Sequence, residues 1–328
     1  MLPGPYLHVI VSVIIGFIIV YYMTPIAARR LKERRVTGVD VHKPERPLIP
    51  TMGGLVLVAG YLASILWFLV IFPDFFKELT AILSTILMIS MVGMIDDILQ
   101  LRHSIKVMLP MVASLPLLLI VSEDRVLTFP FIGLVKVGFF YPILLVPIGV
   151  VAAANLTNLL AGFNGLEAGM GLAAISSLSI ASLVIGNEGM FVLVPMIGPL
   201  LAFLVFNWCP AKIFPGNSGT YVIGAIIAAG VIIGDMEVVG MICLLPYIVE
   251  FFIKLRNFFG GQCFGLVNGD GTLSAPYSFT ESLTHVIMRR GKLTESRLVS
   301  ELIIIEAIFG GIAILVAYLS AFYVLIPG

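Results

Sequence analysis

Apolar runs of roughly 15 to 25 residues follow one another along almost the whole chain, and a run of about 20 is what an α-helix needs to cross the ~30 Å hydrocarbon core of a bilayer. ILSTILMISMVGMI, PILLVPIGVVAAA and LIIIEAIFGGIAILVAYLSAFYVLI are three of them. No water reaches the backbone in that medium, so a spanning segment must satisfy its own N–H and C=O groups, and an uninterrupted apolar run does so as a helix. Run length and turn residues place spans at 6–27, 53–72, 79–95, 107–121, 138–158, 166–185, 190–206, 218–234, 237–255 and 302–326. The expected fold is therefore an all-α polytopic membrane protein of about ten transmembrane helices. With 59% apolar and 12% charged residues and a mean hydropathy of +1.10, soluble classes are excluded. The 328 residues are mostly consumed by spans, leaving one membrane domain, 1–328, with a cytoplasmic loop 256–300 between the last two helices. MLPGPYLHV has no basic region of the signal-peptide kind, so the first span is expected to stay in the mature protein.

Basic residues set the orientation. Alternate loops of a ten-span chain put sixteen of the 19 Lys and Arg on one side, and only Lys77, Arg125 and Lys136 on the other. Such a bias makes the basic side cytoplasmic and turns both termini outward. The outer loops are mostly short (FPDF, GNEGM, GDM), so any chemistry belongs to the inner face. The setting is an integral, multi-pass protein of a prokaryotic plasma membrane or a eukaryotic ER membrane. Cys209, Cys243 and Cys263 are an odd number without CxxC spacing, which predicts plain thiols.

Four inner stretches carry the polar residues. GMIDDILQ places Asp96 and Asp97 at the inner end of the third span, with Lys106 following. A helix C-terminus disfavours carboxylates, so these two handle a cation or a proton, unless they form a solvated terminus neutralised by local bases. Lys106 could hold a phosphate as a point charge. NLTNLLAGFNGLEAG offers Asn155, Asn158, Asn164 and Glu167 around a bend allowed by Gly162, Gly165 and Gly169, as a polar binding surface or as helix caps. FPGNSGTY opens a helix whose free N–H groups suit an anion, although the same residues make an ordinary turn. VDVHKPERPLIPTMGG gathers Asp40, His42, Lys43 and Arg46, which in the plainest reading touch anionic lipid. Acids, amides, a lysine and an anion-ready helix start at one face fit an interfacial enzyme using a divalent metal and phosphates. A transporter would hold its ionisable groups nearer the midplane.

GMIDDILQLRHSIKVMLPMVASLPLLL, NLTNLLAGFNGLEAG and FNWCPAKIFPGNSGTY, in this order, resemble the polyprenyl-phosphate N-acetylhexosamine-1-phosphate transferases. NGLEAG and the ASLPLL string are most similar to the archaeal and eukaryotic dolichyl-phosphate GlcNAc-1-phosphotransferase branch. PTMGG and NLT resemble the bacterial phospho-MurNAc-pentapeptide transferases, whose histidine-rich last loop is missing here. The resemblance implies transfer of GlcNAc-1-phosphate from a UDP-sugar to a polyprenyl or dolichyl phosphate, with UMP expelled and Mg²⁺, or Mn²⁺ in its place, on the pyrophosphate. It implies roles for Asp96, Asp97 and Lys106 in catalysis. Asp97, Asn158 and Asn217 would hold the metal. Asp40, Lys43, Asn155, Asn164, Gly165, Glu167 and Phe214 would bind substrate, with Phe214 as a stacking face for uracil. In loop 256–300, Arg256, His285, Arg289 and Arg290 are the candidates for reading the sugar. A homodimer is compatible with the resemblance, the sequence being silent on oligomeric state, and a nucleic-acid partner is not expected.

One position departs from the pattern. Where the family has a metal-ligating aspartate after FxG, this chain has Asn217, which keeps a carbonyl oxygen but lacks the charge that hard Mg²⁺ prefers. An inactivating substitution, a metal site rebuilt around Asp97, and binding without turnover all account for it. Rival readings are a transporter, a prenyltransferase with paired Asp-rich motifs, and an inactive UDP-sugar binder. The second DxxxD-like cluster that the prenyltransferase requires is missing from the sequence.

Overall fold

The computed structural model describes residues 5–122, 126–129 and 133–324. Arg125 and the last residues of the expected 302–326 span lie outside them. Among the described residues, eight helices are long and apolar enough to cross a membrane. They are Leu7–Glu33, Gly54–Ile71, Pro73–Leu99, Tyr141–Leu159, Leu166–Ile185, Gly189–Asn207, Gly216–Ile233 and Glu295–Ala321. A ninth crossing is made if Glu237–Cys243 and Leu245–Leu255 count together, but the pair is bent by 65°. Pro246 opens the second limb and has no N–H to continue the ladder across the break.

Of the ten expected spans, 107–121 is the one that falls short of full length. That stretch is the shorter apolar helix Ser104–Leu118, broken near Ser114 where Pro116 follows. At 1.5 Å per residue it is roughly 22 Å long, too short for a full hydrocarbon core. The chain nevertheless changes sides here. Asp97, near the C-terminal end of one helix, and Asn158, near the C-terminal end of the next full-length one, line the same cavity. Two C-terminal ends meet only if the segment between them travels back. The short helix and the hairpin Val126–Phe129/Gly133–Lys136 make that return.

Gly216–Ile233 is the central post, 83% buried, and it packs against Phe76–Leu99, Val146–Leu159 and Gly54–Ile71. Its small residues explain the position. Inside a bilayer, helices associate through close van der Waals contact, which favours residues with little or no side chain. A Cβ on Gly93 would lie 2.6 Å from the Ser218 Cα, and one on Gly54 would lie 2.1 Å from the Gly219 nitrogen. Both neighbouring helices therefore come to backbone distance at the first turn of the post. Thr157 adds a polar tie, its hydroxyl donating across to the Thr220 carbonyl at 2.8 Å. The final helix lies along Leu166–Ile185, and the first along Gly54–Ile71 and Ile197–Asn207.

Candidate active site

A cavity of about 510 Å³ opens where the ends of these helices converge, within the ~300–1,000 Å³ usual for small-molecule sites. Its wall includes Asp97, Asn158 and Asn217 from three different helix ends, together with Asp40, Glu167, Phe214 and Lys254.

Asp97 is held by the start of the central helix. Its Oδ1 accepts the Asn217 N–H at 2.7 Å and its Oδ2 accepts the Ser218 N–H at 3.1 Å. The first N–H groups of a helix have no intrahelical partner and sit at the positive end of the dipole, so a carboxylate there is stabilised. The anion that FPGNSGTY was expected to bind is thus supplied by the chain itself. Gly216 makes the approach possible: it has φ +69°, and a Cβ on it would lie 2.7 Å from Asp97 Oδ2.

Asp96 points the other way. It is 1% exposed and pairs with Lys106 Nζ at 2.8 Å. It also accepts the Leu101 N–H at 2.8 Å and the Tyr221 hydroxyl at 3.2 Å. The two adjacent aspartates therefore have separate duties, one balanced by a lysine and one left as the anionic oxygen donor of the cavity wall. Asn158 Oδ1 accepts from the Thr220 hydroxyl at 3.0 Å. Asn155 is turned from the cavity and donates to the carbonyls of Val151 and Lys106.

A second network buttresses the far wall. Asn164 donates through its side-chain amide to Asp40 at 2.9 Å and through its backbone to Glu295 at 2.8 Å. Glu295 also bonds Lys43 Nζ. Burial works against the Lys43 charge, but the Glu295 bond and charge, joined by Cys209 and Asp40, together outweigh it and hold the ammonium above its ordinary range. His42 is buried, stacks on Phe163 at 4.2 Å between centroids and accepts the Gly265 N–H on Nε2. Its burial pushes the imidazole pKa below the ordinary value, against the pull of Glu295 and Asp40. Asp40, His42 and Glu295 lie close enough to hold a metal, but Lys43 and Asn164 already answer the two acids.

Phe214 forms part of the cavity wall beside Phe163 and Phe264. Its backbone is fixed on both sides, its N–H donating to Pro50 and its carbonyl accepting from Gly53. Gly165, at φ +85°, starts the Leu166–Ile185 helix. Glu167 Oε1 accepts the Gly162 N–H at 2.8 Å, while its buried Oε2 has no hydrogen-bond partner among the described residues. Arg289 and Arg290 are exposed and do not line the cavity; Arg289 donates to the Tyr277 carbonyl at 3.0 Å. NGDGT is a turn between the short strands Leu266–Val267 and Leu273–Ser274, with Asp270 paired to Lys292 at 2.8 Å.

Lys254 and Glu295 were not singled out as site residues from the sequence. Lys254 Nζ bonds the Leu159 carbonyl, lies 3.0 Å from Cys263 Sγ and 3.3 Å from Glu250 Oε1. Burial pushes the Cys263 thiol up, and the Lys254 charge offsets part of that. Asp97, Asn158 and Asn217 on the cavity wall are one carboxylate and two side-chain amides, residue types whose oxygens suit a hard divalent cation. The orphaned Glu167 oxygen is a further acceptor on the same wall.

Residues 79–235 match the family model described as Glycosyl transferase family 4. A Saccharolobus solfataricus protein, provisionally named UDP-N-acetylglucosamine--dolichyl-phosphate N-acetylglucosaminephosphotransferase, is 37% identical over 315 residues, covering 94% of this chain and 97% of its own. A Dictyostelium discoideum protein carrying the same name outright is 27% identical over 290 residues, 74% of this chain and 70% of its own. The phospho-N-acetylmuramoyl-pentapeptide-transferase of Carboxydothermus hydrogenoformans is 28% identical over 229 residues, 61% of this chain and 67% of its own. With the archaeal relative matching nearly end to end, the chain belongs to glycosyl transferase family 4, in the company of membrane proteins named for N-acetylglucosamine phosphate transfer.

Proposed function

We propose that this chain transfers GlcNAc-1-phosphate from UDP-GlcNAc to a dolichyl-type polyprenyl phosphate, releasing UMP and leaving a lipid-pyrophosphoryl sugar. The observation that carries the reading is the meeting of Asp97, Asn158 and Asn217 in one cavity at the ends of membrane-spanning helices, in a chain whose relatives bear that activity in their names. A lipid phosphate at the membrane surface and a soluble nucleotide sugar can both reach such a place.

Phosphoryl transfer asks a protein mainly for positioning and charge neutralisation. Asp97, Asn158 and Asn217 would hold Mg²⁺, which when bound neutralises charge on the pyrophosphate oxygens. Lys106, seated on Asp96, presents an ammonium beside the third helix end for the lipid phosphate. The Asp96 carboxylate fixes that ammonium. A phosphate monoester has a second pKa near ~6 and is already largely dianionic at neutral pH, so no strong base is needed. Phe214 offers a face to the uracil ring and Glu167 a hydrogen-bonding edge to the nucleotide, while Asn164 fixes Asp40 in the wall behind them. The basic loops, and with them the cavity, are assigned to the cytoplasmic side by the positive-inside bias.

The replacement of a charged ligand by Asn217 favours weak metal affinity and slow turnover, and a silent UDP-sugar binder is its extreme form. The test is UMP release from a panel of UDP-sugars and polyprenyl phosphates, with and without Mg²⁺, on the native chain and on Asn217→Asp. UMP formed with UDP-GlcNAc and lost on chelation supports the reading. No UMP from either chain refutes it.

A further inference from the structure

Two of the three cysteines have surroundings that phosphoryl transfer does not use. Cys209 Sγ lies 3.5 Å from Lys43 Nζ and 3.4 Å from Glu295 Oε2. Cys263 Sγ lies 3.0 Å from Lys254 Nζ and 3.5 Å from Glu250 Oε1. Cys243, by contrast, is sealed inside the bundle against the Ala174 carbonyl and Glu306. Only Cys263 combines the closer amine with a place in the cavity wall, where Lys254 is its neighbour.

We propose that Cys263 and Lys254 are an oxidation-sensitive pair that peroxide converts into a covalent sulfur–nitrogen bridge in the wall of the cavity. Each step has its group in place. The cavity admits a molecule the size of hydrogen peroxide to a thiol that the rest of the fold shields. The Cys263 sulfur attacks one peroxide oxygen, the O–O bond breaks, and a sulfenic acid and one water result. The Lys254 nitrogen then attacks the same sulfur, the S–O bond breaks, and a second water leaves as the S–N bond forms. Overall a thiol, an amine and one peroxide give a sulfenamide and two waters; sulfur is oxidised by two electrons and peroxide is reduced by two. Glu250 is the proton acceptor for both groups, 3.3 Å from the amine and 3.5 Å from the thiol. It is itself fixed by the Ser282 hydroxyl at 3.0 Å and the Leu283 N–H at 2.6 Å. Because the amine is already in contact, its attack is intramolecular and outruns a second peroxide, which diverts the sulfur from irreversible oxidation.

The bridge also bears on the site. Lys254 Nζ and Cys263 Sγ both donate to the Leu159 carbonyl, the residue after Asn158 at the end of its helix. Bridging removes the thiol donor and the lysine's positive charge, leaves a single N–H, and pins the 261–264 segment to the Leu245–Leu255 helix. The resulting loss of transfer activity, reversed by a thiol reductant, rests on the phosphotransferase reading; the bridge itself does not.

Mass spectrometry decides it. The full chain, purified in lipid nanodiscs, is treated with hydrogen peroxide, its remaining thiols are blocked, and it is digested. The expected result is a Cys263 peptide joined to the Lys254 peptide, lighter than the two together by two hydrogens and parted again by dithiothreitol. In Lys254→Arg the joined pair disappears and Cys263 is recovered as sulfinic or sulfonic acid. Recovery of Cys263 from the native chain as a free thiol, as an unlinked oxidised acid, or in a bridge that retains oxygen overturns the proposal. UMP release from the unoxidised protein is scored separately, so a failure of the phosphotransferase reading leaves the bridge to be judged by mass alone.

Discussion

Replacing Asp97 with asparagine tests the seat of the carboxylate on the central helix. The side chain keeps its size and one acceptor oxygen, but it loses its charge and turns an NH₂ toward one of two backbone N–H groups that now bond it at 2.7 and 3.1 Å. Removing a negative charge from a helix N-terminus costs about 0.3–1 kcal/mol at an exposed site and up to ~2 when partly buried. Stranding one N–H against a donor costs a further ~1–3 kcal/mol. Asp97 is half-buried and faces the cavity, so water relieves part of each contribution and the low end of both ranges applies, about 1.3 kcal/mol in all. At the ~2–4 °C per kcal/mol usual for chains of this order of size, thermal unfolding in detergent should begin several degrees lower. The assay is a thermal scan at fixed rate without divalent metal, with Asp97→Asn compared against the native chain. An unchanged midpoint would mean that the helix start is satisfied by something other than this carboxylate, and the assignment of Asp97 as a preorganised anion would fall with it.

The remaining predictions concern the neighbouring groups. Lys106→Met strands a buried Asp96 and should destabilise the chain by roughly 3–5 kcal/mol, whereas the double variant Lys106→Met with Asp96→Asn should recover much of the loss; equal damage in both would show that the pair is uncoupled. Phe214→Ala should raise the KM for UDP-sugar about tenfold with a smaller change in kcat, since base stacking contributes roughly 1–3 kcal/mol; an unaltered KM would remove the ring from the nucleotide site. His42 has its pKa lowered by burial, so the unfolded chain binds its proton first as pH falls from ~6.5. The stability it contributes is complete above that pH and is lost on acidification through the folded value. Thermal midpoints measured between neutral and mildly acidic pH should therefore fall more steeply in the native chain than in His42→Gln. Parallel curves would rule out His42 as their cause.

Much of this arrangement can be read from local patterns. A long apolar run is a helix whatever its neighbours, and among the described residues each expected span falls mainly on helix. Polar residues at the ends of such runs have few places to go, which is why Asp97, Asn158 and Asn217 share one cavity wall. Glu295 was not legible for the opposite reason: in GKLTESRLVS it looks like any acid opening a helix, and its partners Asn164 and Lys43 are brought to it only by the tertiary fold. The same holds for Cys263, which has no signature in sequence and acquires one from an amine on the preceding helix. Run length also overstates the span at 107–121, because hydropathy cannot sense the break at Ser114. The 65° bend in 237–255 is hidden similarly, behind a proline that many membrane helices tolerate without turning.

The short Ser104–Leu118 helix imposes something on the lipid as well as on the chain. A bilayer about 30 Å thick meeting an apolar segment of roughly 22 Å must thin locally or draw water and headgroups inward, at a fraction of a kcal/mol per ångström. Lys106 sits in the first turns of this helix, next to Asp96. A dimple beside the cavity is the expected consequence, and a phosphate carried on a long isoprenoid tail would then meet the protein below the plane at which ordinary headgroups lie. Access for the lipid substrate would then depend on bilayer thickness, with thicker membranes resisting the dimple and slowing entry.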